Sequence, residues 1–62
     1  MNYLKQFRLD EGMTQKDIAE KLNYSLSMYS KIESGNRNIS RKFALKFVET
    51  FPSADLKKIF LP

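Results

Sequence analysis

The chain has 62 residues, with 11 lysines and arginines against 7 aspartates and glutamates and a net charge of +4. A chain of this length is expected to form one domain spanning residues 1–62, burying only about 60% of the surface that its unfolded form exposes. Cysteine and histidine are both absent, which excludes disulfides and thiolate metal sites and removes the usual general base, so no enzyme, cofactor or metal site is expected.

Taken in chain order, the apolar spacing predicts five helices, roughly 2–11, 14–22, 25–34, 40–51 and 53–60. In the first, Tyr3, Leu4 and Phe7 share a face, and Gly12 follows as a left-handed stop. Thr14 precedes the second helix, and Asp17 three residues later completes a capping box. Ile18, Ala19 and Leu22 form that helix's apolar stripe, and the connection to the next helix is only Asn23-Tyr24. Ser25 is a candidate cap for the third helix, in which Met28, Tyr29 and Ile32 repeat the same spacing before Gly35 stops it. Ser40 stands before Phe43, Ala44, Phe47, Val48 and Phe51, and Pro52 breaks that run. Ser53 then reads as the cap of a last helix carrying Leu56, Ile59 and Phe60. No segment alternates with period two, so the fold class is all-α.

No apolar run approaches the roughly 20 residues that cross a bilayer, and the chain start is polar after Met1. A cytoplasmic protein without membrane contact is the expectation. The positive charge suits a nucleic acid, and an acidic protein partner would satisfy it equally.

A link as short as Asn23-Tyr24 forces two helices to cross steeply, either as a helix-turn-helix or as an ordinary helical corner. Asparagine tolerates the left-handed backbone that such a bend needs, and Tyr24 is placed to fill the angle between the helices. The residues around this link decide the matter. Thr14 through Leu22 reads T-Q-K-D-I-A-E-K-L, and Ser25 through Gly35 continues as S-L-S-M-Y-S-K-I-E-S-G. Together they resemble the T-Q-x-x-L-A-x-x-L and S-x-x-x-I-S-x-x-E-x-G segments of the Xre, or phage repressor and Cro-like, helix-turn-helix domains. Leu4, Phe7 and Arg8 are similar to that family's first-helix pattern. Asn38-Ile39-Ser40 is similar to the N-P-S that leads into its fourth helix. The chain departs from the family at Asn23, where glycine is frequent, at Tyr24 and Tyr29, where smaller aliphatics are usual, at Ile39, and in a longer Pro52-Ser53 connection.

The resemblance implies a compact five-helix repressor-like domain that binds double-stranded DNA and reads base edges with its third helix. If Tyr29 and Ile32 face the core, Leu26, Ser27, Ser30 and Lys31 face outward. Lys31 reads either as a solvated lysine or as a donor to guanine O6 or N7. Ser27 and Ser30 bond either way, and Leu26 offers an apolar surface to a thymine methyl. Ser25 reads as a cap that can also touch the backbone. Gln15 opens the second helix, where N–H groups and the helix dipole favour an anion. The resemblance gives its side chain a phosphate and a bracing role toward the third helix. Asn36, Arg37 and Asn38, followed by Arg41 and Lys42, read either as a solvated basic loop or as a phosphate-contacting edge, with Arg37 also a candidate for a minor groove. Cations there oppose the dipole of their own helix, which makes sense if an external anion docks. Arg8 and Glu33 are paired by the resemblance, not by spacing.

The apolar end Ile59-Phe60-Leu61-Pro62 reads either as a finishing piece of core or as a two-fold contact, and a dimer would read a palindromic operator. The implied function is a sequence-specific transcriptional regulator, a repressor by expectation. The alternative is an antitoxin-like module whose main partner is a protein and whose DNA binding is autoregulatory.

Overall fold

The computed structural model describes residues 2–35 and 39–60, and its described elements are all helices: α1 (Tyr3–Asp10), α2 (Gln15–Leu22), α3 (Leu26–Glu33), α4 (Arg41–Thr50) and α5 (Leu56–Phe60). The first four agree with the sequence expectation once the capping residues are set outside each helix.

The starts are fixed by side chains that accept otherwise orphaned N–H groups. Asn2 caps α1 by accepting from Leu4 and Lys5. Thr14 and Asp17 exchange two bonds at 3.0 Å, so the expected capping box is present. Ser25 and Ser40 each accept at 3.1 Å from the third residue of the helix that follows.

The stops depend on backbone handedness. After α2, the Asn23 N–H donates to Glu20 O and the Tyr24 N–H to Ala19 O, with Asn23 at φ 61° and ψ 38°. This is a Schellman closure in which asparagine does what glycine commonly does. Gly12 (φ +69°) and Gly35 (φ +86°) end α1 and α3 in the same left-handed region.

α5 departs from expectation. Pro52 and Ser53 occupy the centre of a tight turn, closed by a 2.9 Å bond from Ala54 N–H to Phe51 O. Ser53 is therefore not a cap. The helix begins three residues later, behind Asp55, whose carboxylate accepts from Lys57 N–H at 3.0 Å. A proline at the second turn position favours this closure, and it uses up the residues that the apolar spacing assigned to a first helical turn. The Tyr3 hydroxyl accepts from Asp55 N–H at 2.9 Å and ties the segment to α1.

The core gathers Leu4, Phe7, Ile18, Ala19, Leu22, Tyr29, Ile32, Phe43, Ala44, Phe47 and Ile59. Aromatic rings form its spine. Phe7 meets Phe47 edge-on at 5.4 Å, Phe47 meets Phe51 at 5.2 Å, and Tyr24 stands at 89° to Phe43 at 5.3 Å. Ring pairs at these separations gain about 0.5–1.5 kcal/mol beyond the area they bury. Tyr24 thus fills the corner between the α2–α3 turn and α4. Of the apolar end, Ile59 completes the core and Phe60 is 51% exposed, as Leu56 before it is exposed, while Leu61 and Pro62 lie outside the described residues. The late start of α5 leaves it five residues long, enough for one inward apolar position.

Candidate nucleic-acid interface

α3 presents two unlike faces. Tyr29, Ile32 and Glu33 are buried, while Leu26, Ser27 and Lys31 are exposed and Ser30 is half-buried. Ser30 is thus less open than the outward position expected for it. Leu26 is 48% exposed, a large apolar side chain left on the surface of a helix whose own core face is already filled. At about 1.5 Å per residue, the eight residues of α3 make a rod about 12 Å long, comparable to the width of a major groove.

The inner face is held by a buried polar cluster. Arg8 Nε donates to Glu33 Oε2 at 2.9 Å and Nη2 to Oε1 at 3.0 Å, a bidentate pair, while Nη1 donates to Met13 O at 3.0 Å. Gln15 Nε2 adds a third side-chain donor to Glu33 Oε1 at 3.1 Å. The Asn2 side-chain amide donates to the Glu33 carbonyl oxygen. One residue near the end of α3 is therefore gripped from α1, from α2 and from the α1 cap.

Burial pushes the Glu33 carboxyl up, but the hydrogen bonds from Arg8 and Gln15, with the Tyr29 hydroxyl close by, outweigh it and hold the carboxyl below its ordinary value. The same bond to Glu33 raises Arg8, against the opposing effect of burial. Burial first, and then the charge of Glu33, push the Tyr29 phenol up. Its oxygen has no hydrogen-bond partner of good geometry, although the ring is fully buried. The buried pair does more to orient α3 than to add stability, because taking two charges out of water offsets most of their attraction.

On the outer side, Gln15 is the first residue of α2 and is half-buried, with Thr14 capping the same turn. Ser25 is exposed at the start of α3. Arg41 and Lys42 are exposed in the first turn of α4, which carries no acidic residue. Asn36, Arg37 and Asn38, the centre of the expected phosphate edge, lie outside the described residues. Asn2 joins the α3 support without having been singled out from the sequence. Its position just before the Tyr3–Phe7 stripe marks it as a helix cap, but nothing in the spacing places its amide on Glu33.

Among the described residues, no helix is long and apolar enough to cross a membrane, and no group of acidic residues gathers in a way that could hold a metal ion. No curated protein and no solved structure matches the chain. A family model described as "Helix-turn-helix" does match, over residues 4–56, a span that takes in the Arg8–Glu33 pair, the Asn23 turn and all of α3. The chain belongs to the Xre/Cro-like helix-turn-helix family of DNA-binding regulators.

Proposed function

We propose that this protein is a cytoplasmic repressor that reads a palindromic operator by laying α3 in the major groove. The observation that carries this reading is the contrast between the faces of α3. Glu33 is held on the inside by three neighbouring segments, while Leu26, Ser27 and Lys31 stand in solvent along the outside. A helix oriented this firmly presents base-reading groups in a fixed register, and phosphate contacts then set where that register falls.

In this reading Lys31 donates to a guanine, Ser27 and the half-buried Ser30 bond to base edges, and Leu26 covers a thymine methyl. Gln15 and Ser25 meet one phosphate strand at helix N-termini, and Arg41 and Lys42 meet the other with Asn36, Arg37 and Asn38. Exposed Leu56 and Phe60 support pairing of two copies, which sets half-sites about one DNA turn, roughly 34 Å, apart.

Selection of bound sequences from a random duplex pool tests the whole reading. The expected outcome is one enriched motif with two-fold symmetry, bound less tightly as salt rises. An asymmetric motif would remove the dimer. A pool that enriches no motif would remove sequence-specific reading altogether.

A further inference from the structure

Beside the turn that precedes α3, a groove of about 760 Å³ runs between that turn and α4. Tyr24, Met28 and Leu45 supply its apolar wall, and Lys42, Lys46 and Glu49 stand along its α4 side. Tyr24 and Met28 are half-buried, and Leu45 is 47% exposed, although the rest of α4 places phenylalanine and alanine in the core. Lys42, Lys46 and Glu49 are all exposed. Among the described residues their side chains make neither an ion pair nor a hydrogen bond.

The charge arrangement serves the helix that carries it only in part, since Lys46 and Glu49 stand at a favourable spacing of three residues. Lys42 and Lys46 lie one turn apart on one face, a like-charge spacing that weakens a helix. Lys42 also sits in a first turn with no acidic residue to favour the dipole. Glu49 marks the opposite charge at the far end of the same face. An apolar patch flanked along α4 by Lys42, then Lys46, then Glu49 has a direction as well as a chemistry.

We infer that this groove docks an acidic amphipathic segment of a partner protein. An apolar side chain of that segment seats over Tyr24, Met28 and Leu45, its carboxylates face Lys42 and Lys46, and a basic residue meets Glu49. Ser25 also lines the groove, and Ser25 and Lys42 belong to the phosphate-contacting set of the proposed function. Docking therefore excludes DNA, and the partner acts as a release factor. The exclusion rests on that proposed reading, whereas the docking itself does not.

The probe is a synthetic peptide with leucines at i and i+4, glutamates on the flanking positions and one lysine near its C-terminus. It is titrated into the isotopically labelled full chain, beside a counterpart in which lysine replaces every glutamate. Saturable amide shifts at Tyr24, Met28, Leu45 and Lys46 are expected from the acidic peptide alone, weakening as salt rises. Leu45→Glu is expected to weaken binding at least about tenfold by removing the apolar seat and adding a like charge, a change of about 1.4 kcal/mol. If circular dichroism shows that variant unfolded, Lys46→Glu decides instead, with weaker binding of the acidic peptide as the expected result. Absence of saturable shifts, equal binding of the lysine counterpart, or indifference to these variants would overturn the docking. A duplex from the selection separates the two readings. Its release by the peptide supports both. Loss of peptide binding with duplex binding intact removes the docking alone. Simultaneous binding of peptide and duplex removes the exclusion, together with the assignment of Ser25 and Lys42 to phosphate.

Discussion

The inner and outer faces of α3 are built from different physics. The inner face combines buried apolar side chains with directional bonds, and Glu33 is fixed at both carboxylate oxygens and at its carbonyl. The outer face carries one apolar and several polar side chains, of which Leu26, Ser27 and Lys31 are exposed and Ser30 is half-buried. Hydrophobic burial would accept α3 in several rotations, because area has no direction. The bidentate arginine accepts few, since its planar fork must meet the carboxylate in its own plane. A change on the inner face should therefore move stability and leave base preference alone, and a change on the outer face should do the reverse.

The largest test removes the fork. Arg8→Met leaves a buried carboxylate without its cation, which should cost about 3–5 kcal/mol in denaturant unfolding at neutral pH. The pH dependence gives a sharper check than the size of the loss. In the native protein Glu33 titrates below its ordinary value. Its contribution to stability is thus present above the unfolded-state value, about 4.3, and is lost as pH falls through the folded one. In the variant, burial acts on the carboxyl without Arg8 to oppose it, so its folded value rises and the folded state takes up the extra proton. Stability of Arg8→Met should then improve on mild acidification while that of the native protein declines. Parallel pH profiles would mean that the pair is not what holds Glu33.

Next in size is the outer face. Lys31→Ala should relax preference at one base position by about 1–3 kcal/mol with the unfolding midpoint unchanged. Arg41→Ala should weaken all duplexes alike and lower the salt slope by about one. If the two variants shift preference equally, base readers and phosphate contacts are not divided between α3 and α4.

Gln15 joins the two faces, since its amide donates inward to Glu33 while its helix start faces outward. Gln15→Ala should cost about 1.5 kcal/mol of stability, the lower end of the net worth of a hydrogen bond to a charged partner. It should also weaken duplex binding without changing the preferred sequence. A change in the preferred sequence would make Gln15 a base reader.

How much of this was legible in the sequence depends on whether local chemistry or tertiary packing decides each feature. Caps and stops are local, so Thr14–Asp17, Ser25, Ser40, Asn23 and the two glycines could be placed from residue type and spacing. The start of α5 was misplaced because two local signals competed. Ser53 looks like a cap, but Pro52 before it favours a turn, and the turn prevailed with Asp55 behind it. Whether the apolar end finishes the core or stays open stood undecided in the sequence, because periodicity reports only that apolar residues share a helix face, not that another element covers it; Ile59 is covered, and Leu56 and Phe60 are not. The polar cluster spans 25 residues of sequence between Arg8 and Glu33, and no spacing argument reaches that far. The family resemblance supplied that pairing, while the Asn2 contribution, which depends on how the start of α1 meets the end of α3, came only from the fold.

Tyr29 offers the smallest expected effect and the finest test of the comparison. Its ring is fully buried, and its hydroxyl lies near Glu33 and Arg8 without a hydrogen bond of good geometry. An unsatisfied hydroxyl in that position is a cost that phenylalanine would not carry. The ring itself packs 6.4 Å from Phe43, and phenylalanine keeps that contact. Tyr29→Phe should therefore leave stability unchanged or raise it by up to about 1 kcal/mol, with the enriched motif unaltered because the grip on Glu33 by Arg8, Gln15 and Asn2 remains. A loss of more than about 1 kcal/mol would show that the hydroxyl donates to Glu33 in solution. The carboxylate would then have one more support, and the acid limb of Tyr29→Phe would shift to higher pH, because Glu33 would have lost a bond to its charged form. Either result bears on the inner face alone. If the enriched motif moved as well, the rotation of α3 would depend on this one hydroxyl, and the independence of the two faces would fail.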